Sequence, residues 1–326
     1  MKILISGGTG FIGRNLIENF LRPTDTSMAD KGFGVESTSQ ADAKEKKSHI
    51  SQDKHQITII SRQRQMANGY DVRMILGVDE LDHREEFDVV INLAGASIAE
   101  KKWSEKQKKL ISDSRLVETR RLVAWIERVG KKPKVFISAS AVGYYGAMGQ
   151  EIIDERVRAG HEFTSKLCAA WEYEARRAEP HCRTIIMRLG LVLAAGGGFL
   201  SRMILPMKFG CSPQMGQGKQ YMSWIHIKDL ILAVNFFLND KNCQGVYNLT
   251  SPYPIRQKEF AKIFAKVIKK PALFHLPAFM IKLLFGEMGD RLLLHGQRVM
   301  PKKLLAQKFS FQFSDIDMAL QDIFLS

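Results

Sequence analysis

Short apolar runs alternate along the chain with longer stretches whose apolar positions recur every three or four residues. The first run, KILIS at 2–6, meets glycines at once, and Phe11, Leu16, Ile17, Phe20 and Leu21 then mark one face of a helix that Pro23 should stop. QITIISR (56–62) and DVVINLAG (88–95) predict two more strands, with DVRMIL (71–76) a weaker candidate. An amphipathic helix is expected over 105–129, closed by Gly130 and Pro133, followed by the strand KVFISAS (134–140) and a helix over 162–179. TIIMRLGLVL (184–193) reads as one strand, IHIKDLILAVNFFL (225–238) as a helix and GVYNLTS (245–251) as a strand. Strands alternating with helices predict an α/β fold of Rossmann type, a doubly wound parallel sheet.

From about 251 the pattern changes to short helical segments split by prolines and glycines. Together with 191–225 they read as a smaller, mostly helical lobe over the carboxyl edge of the sheet. The expected division is therefore 1–190 with 226–250 returning to it as the nucleotide-binding domain, and 191–225 with 251–326 as the lobe. Residues 23–54 are polar and poor in large apolar side chains, so a mobile surface insertion is expected there.

Composition changes this picture little. In 326 residues, 45% hydrophobic and 25% charged content describe an ordinary globule with a full core. No apolar run approaches the roughly 18 residues of a membrane helix, and glycines interrupt the start before a signal peptide could form. Four scattered cysteines suggest neither zinc nor a redox pair, so a reducing, cytoplasmic setting is expected, and no group of residues has metal-ligand spacing. The net charge of +14 is spread among acids, as in KKWSEKQKK, which speaks against a nucleic-acid interface and for solvated faces plus a site for a polar or anionic small molecule. A monomer or homodimer is expected.

GGTGFIG supplies the glycines of a dinucleotide turn: Gly7 or Gly8 for the tight bend, Gly10 for close approach of the pyrophosphate, Gly13 for helix–strand packing. The following helix would present unpaired N–H groups to the phosphates. The second strand ends in Ser61, Arg62 and Arg64, where an acid would hold a free ribose 2′-hydroxyl, so NADP is expected in preference to NAD.

MKILISGGTGFIG, VVINLAGASI, KKWSEKQKKLISDSR, ISASAVGYYG, HEFTSKLCAAWE, MRLGLVL, GQGKQYMSWIHIKDL and SPYPIRQKEFA occur in that order. The chain thereby resembles an atypical extended short-chain dehydrogenase/reductase of the epimerase-like group, over nearly its whole length except the 23–54 insertion. The resemblance implies that Gly7, Gly10, Phe11, Ile12 and Gly13 surround the pyrophosphate and that Arg62 meets the 2′-phosphate. It implies that Asn92, Leu93, Ala94 and Gly95 line the adenine-ribose side, and that Ser140 hydrogen-bonds the reacting oxygen.

The group's usual Tyr-x-x-x-Lys pair reads Glu162-Phe163-Thr164-Ser165-Lys166 here. Lys166 remains to hold the nicotinamide ribose. Glu162 in place of the tyrosine is either a base or the acid of an i,i+4 helix pair with Lys166. Tyr144 and Tyr145, just beyond the Ser140 strand, are alternative proton carriers. Arg115, Arg188, Gln220, Trp224 and His226 are candidate substrate contacts, each with a structural reading beside it. Two functions follow: an NADP-dependent oxidoreductase or epimerase acting on a carbonyl or carbinol, possibly of a nucleotide sugar, or a weakly active NADP(H)-binding sensor or scaffold.

Overall fold

Among the described residues, seven parallel strands build one sheet: β1 (Lys2–Ser6), β2 (Gln56–Ile60), β3 (Arg73–Ile75), β4 (Val89–Asn92), β5 (Val135–Ala141), β6 (Arg183–Leu189) and β7 (Gly245–Leu249). Their order is β7-β6-β5-β4-β1-β2-β3, so the chain reverses direction across the sheet between β1 and β4. In an open sheet of this kind that reversal opens a crevice at the carboxyl ends of the strands. The computed structural model describes residues 1–21, 55–61, 72–209, 211–270 and 274–325. The expected 23–54 loop, Arg62 and Arg64 lie outside the described residues.

Among the described residues up to 239, five α-helices occur: α1 (Phe11–Leu21), α2 (Glu105–Arg128), α3 (Phe163–Arg176), α4 (Gly198–Lys208) and α5 (Ile227–Asn239). Strand residues alternate between the two faces, and the apolar cores follow that period. Ile3 and Ile5 pack with Leu16 and Ile17 of α1 and with Leu230, Val234 and Phe237 of α5. Leu4 and Phe136 face the other way, against Leu122, Trp125 and Ile126 of α2 and Ala175 of α3. Each such fully buried aliphatic or aromatic side chain contributes about 1.5–3 kcal/mol, which outweighs the weak helix propensity of the β-branched residues. The Ser104 side chain caps α2 by accepting from Gln107 N at 3.2 Å.

One strand differs from expectation. TIIMRLGLVL is not continuous, because the chain turns out of the sheet at Gly190, and Leu191–Leu193 pairs instead with Trp224–His226. A Cβ at Gly190 would lie 2.7 Å from Ser223 O, so the crossing requires glycine. The apolar run on either side hid the break.

The lobe comprises α4, α6 (Gln257–Val267), α7 (Ala278–Gly289), α8 (Lys302–Ala306) and α9 (Ile316–Leu325), with short two-stranded ladders among them. Its core gathers Leu193, Leu200, Trp224, Phe260, Phe264, Ala319 and Leu320. A buried carboxylate fastens it to the sheet domain: Asp229, on the first turn of α5, accepts from Gln312 N at 2.7 Å and Phe313 N at 3.0 Å. No helix among the described residues is long and apolar enough to cross a membrane.

Candidate cofactor and substrate site

The glycine turn sits at the mouth of the β1/β4 crevice. Gly7 has φ +78°, and a Cβ there would meet the Leu93 carbonyl carbon at 2.6 Å. The turn is thus pressed against the Asn92–Gly95 segment, and Leu93 N donates to Ser6 O at 2.8 Å. A Cβ at Gly13 would meet Gly7 O at 2.6 Å, which lets α1 start directly against the strand end. Gly10 is different. A Cβ there would lie 3.1 Å from Gly7 O, tight but less so than at Gly7 or Gly13, and its φ is not left-handed, so packing presses less on this glycine than on the other two. A bare backbone at that point suits a ligand that must come close, as a pyrophosphate does at a helix amino terminus.

Other parts converge on the turn. Ser61 Oγ lies 3.2 Å from Thr9 Oγ1, and Arg14 Nε donates to Thr9 O at 2.6 Å. Arg14 therefore brings a cation to the turn; its signal, an arginine directly after the last glycine, was present in the sequence and missed. The Phe11 ring lies against Gly197 and Gly198, where a Cβ would fall 2.3 Å and 3.1 Å from it. Arg202 of α4 donates to Ala99 O, tying the lobe to the segment after Gly95. Arg115 lies beneath that segment: it donates to Ala96 O and Ile111 O, both at 3.0 Å, its Cζ is 5.3 Å from the Trp171 ring, and burial lowers its pKa.

A polar row crosses the sheet at its carboxyl end, with Ser6, Asn92 and Ser138 in register, and Ser140, Arg188 and Asn248 in register beside them. Asn92 donates to Thr119 Oγ1 at 2.7 Å and Ser138 Oγ at 3.2 Å. Ser140 Oγ donates to Glu172 Oε1 at 2.7 Å, and Arg188 meets both oxygens of that carboxylate at 2.8 Å. Arg188 Nη1 donates to Tyr145 Oη at 2.9 Å, and Tyr145 donates to Asn248 Oδ1 at 2.6 Å. All five are at most 4% exposed. Burial works against the Arg188 charge, but the hydrogen bonds and charge of Glu172 outweigh it and raise its pKa. Burial pushes the Tyr145 phenol up to about 12 despite Arg188 and Asn248. Arg188 and Tyr145, expected to contact substrate and to carry a proton, are buried with these polar atoms engaged within the protein. Tyr144 is partly exposed, its ring 3.4 Å from Arg188 Cζ.

Glu162 is the amino-terminal cap residue of α3, one position outside the expected helix start, with extended backbone. Its carboxylate does not turn to Lys166: it accepts from Arg291 Nη1 at 3.0 Å and weakly from Ala147 N at 3.4 Å. The cap position frees the side chain from the helical surface, so the i,i+4 pair does not form and an arginine from the lobe takes its place. Lys166 is exposed, and its ammonium has no partner among the described residues.

The remaining candidates lie in the junction with the lobe. Trp224 is fully buried and donates to Tyr253 O at 3.2 Å; Gln220 donates to Leu293 O at 2.7 Å. His226 caps α5, its Nδ1 accepting from Lys228 N at 3.2 Å, with its ring 4.1 Å from that of Phe313. Its Nε2 lies 3.4 Å from an Asp322 oxygen without hydrogen-bond alignment. Burial pushes the imidazole down to about 4, with Asp322 opposing and Lys228 assisting. Gln220, Trp224 and His226 are thus occupied within the protein. No group of three or more His, Cys, Asp or Glu suited to a metal occurs among the described residues.

Residues 3–250 match the sequence profile of the NAD dependent epimerase/dehydratase family. The chain belongs to that family. Residues 276–323 match a domain of unknown function, DUF1731, which in this epimerase-family chain forms most of the lobe after α6. An epimerase family protein of Staphylococcus aureus strain N315 is 32% identical over 99% of this chain and 98% of its own. One of Mycobacterium leprae is 38% identical over 75% and 79%. The crystal structure of human epimerase family protein SDR39U1 with NADPH superimposes with a TM-score of 0.84 at 28% identity, covering all of both chains. In this epimerase-family chain, sequence reasoning missed Glu172, Arg291 and Arg14. For Glu172 the available signal was Arg188 itself, a charge inside the apolar run IIMRLG, which demands a buried acid.

Proposed function

We propose that this protein binds NADP(H) in the β1/β4 crevice and works as an oxidoreductase or epimerase on a carbonyl or carbinol carbon of a small polar or anionic substrate. The observation that carries this reading is the glycine turn at the head of α1, where Gly10, less crowded than Gly7 and Gly13, leaves bare backbone at the place where a pyrophosphate would approach. The NADPH bound by human SDR39U1 supports the choice of coenzyme, as do Ser61 and the Arg62 that follows it. The bound coenzyme supplies a hydride donor or acceptor at nicotinamide C4. Gly7, Gly10, Phe11, Ile12 and Gly13 bind the pyrophosphate, Asn92 to Gly95 border the adenine-ribose side, and Lys166 holds the nicotinamide ribose. The Ser140 hydroxyl donates its hydrogen bond to Glu172, so toward a substrate it presents lone pairs and accepts from a hydroxyl. Tyr144 is the phenol left with access to the crevice and carries the proton. The setting proposed is cytoplasmic.

Tryptophan fluorescence titration with NADPH tests this directly. Gly10→Ala weakens binding by about tenfold or more, equivalent to ~1.4 kcal/mol. Lys166→Ala, at an exposed position, weakens it by a similar factor through loss of one charge-assisted hydrogen bond, roughly 1.5–3 kcal/mol. Unchanged affinity in both variants sinks the proposal.

One observation favours the second reading, a coenzyme-dependent sensor or scaffold. Glu162, where the family resemblance expects the proton-transferring tyrosine, is bound to Arg291 of the lobe, so this position ties α3 to the lobe instead of offering a proton. NADPH binding without turnover over a broad panel of carbonyl compounds and sugar nucleotides selects it.

A further inference from the structure

The outer side of α7 carries apolar side chains that the fold leaves uncovered. Ile281 is fully buried and Met288 nearly so, whereas Phe279, Met280, Leu283 and Leu284 face outward, Phe279 being 70% and Leu283 75% exposed. Positions 279, 280, 283 and 284 recur at helical spacing, so they form one stripe over the turns before the chain kinks at Gly286. A helix that is apolar on both sides is normally covered on both, and a contiguous apolar stripe on a surface marks a contact.

The start of α2 borders this stripe. Lys102 Nζ donates to Leu283 O at 3.4 Å, and Lys108 pairs with Glu287 of α7 at 2.8 Å. Lys101, Lys102, Lys106 and the half-exposed Leu110 line one shallow hollow there. Most neighbouring carboxylates are engaged: Glu105 and Glu287 turn to Lys108, Asp113 to Lys109 and Asp290 to Lys282. Among the described residues, Lys101, Lys102 and Lys106 have no carboxylate partner, and Glu100 offsets part of their charge. We propose that this face docks on an anionic lipid surface, with Phe279, Leu283 and Leu284 entering the head-group boundary and the three lysines meeting the lipid charges. The helix lies on such a surface and does not span it. Charge decides against a second copy of the chain. A symmetric pair built on this face would bring the three lysines of one copy toward those of the other, with a net +14 on each chain, whereas an anionic bilayer neutralises them.

The test is flotation of the full chain with vesicles of phosphatidylcholine, with and without phosphatidylglycerol. Wild type floats with the vesicles that contain phosphatidylglycerol and is released by salt. Phe279→Ser/Leu283→Ser lowers the partition constant about tenfold or more, and Lys101→Gln/Lys102→Gln/Lys106→Gln lowers it by roughly a hundredfold. Trp103, partly exposed beside Lys102, reports the place of contact, because Trp125, Trp171 and Trp224 are buried. Lipids brominated on their acyl chains quench its fluorescence in wild type and much less in the serine variant. Circular dichroism checks the fold of both variants, and each tests the face without the other. Absence of wild type from the anionic vesicles overturns the assignment, as does equal flotation of wild type and both variants. A dimer in light scattering that Leu283→Ser abolishes also overturns it and gives the face to a second copy.

Discussion

Replacing Arg188 with methionine will destabilise the protein by about 3–5 kcal/mol, the usual cost of removing one partner from a buried ion pair. The substitution leaves the Glu172 carboxylate 4% exposed without its counter-charge and takes from Tyr145 the donor that fixes its hydroxyl. The pair is not valuable merely for being charged. Desolvation consumes much of its attraction, so removing both charges in Arg188→Met/Glu172→Leu should recover a large part of the loss. Urea unfolding of the two variants and wild type measures this. A single-variant loss below about 1 kcal/mol would mean that water reaches Glu172, against the burial described above.

Acid will unfold the protein partly through His226. A free imidazole titrates near 6.5, whereas burial holds His226 at about 4 in the fold. Above pH 6.5 it is neutral in both states and its contribution is fully present. As the pH falls from 6.5 toward 4, the unfolded chain takes up the proton first, and stability drops by up to about 3 kcal/mol. Below about 4 this dependence ends. His226→Asn keeps an acceptor for Lys228 N–H at the cap while removing the titration, so its stability should be flatter over that window. Parallel curves for the two proteins, measured by urea midpoint at stepped pH, would show that another group governs the acid limb.

The sheet could be read from the sequence because its signals are local. KILIS, QITII, VVIN and VFISAS are apolar runs bounded by polar or glycine punctuation, and the glycine turn follows its strand immediately. The site was only partly readable because its decisive contacts are remote. Glu162 meets Arg291 across 129 positions, and no spacing rule connects them. A one-residue difference in where α3 begins decides whether Glu162 lies on the helix beside Lys166 or outside it, facing the lobe. Boundaries of that kind are set by tertiary packing, not by propensity. Ser140 was placed at the right strand end, but the direction of its hydroxyl depends on Glu172, whose meaning becomes visible only beside Arg188.

The two backbone N–H groups that close over Asp229 have a consequence for how such a protein can be taken apart. A chain ending before residue 312 would keep the carboxylate on the first turn of α5 but lose both donors, and that buried helix start would inherit a stranded negative charge. The part matching the epimerase family is therefore no free-standing cassette. Gene fusions, truncations or evolutionary exchange at this boundary must carry the terminal segment along, or rewrite position 229 with it.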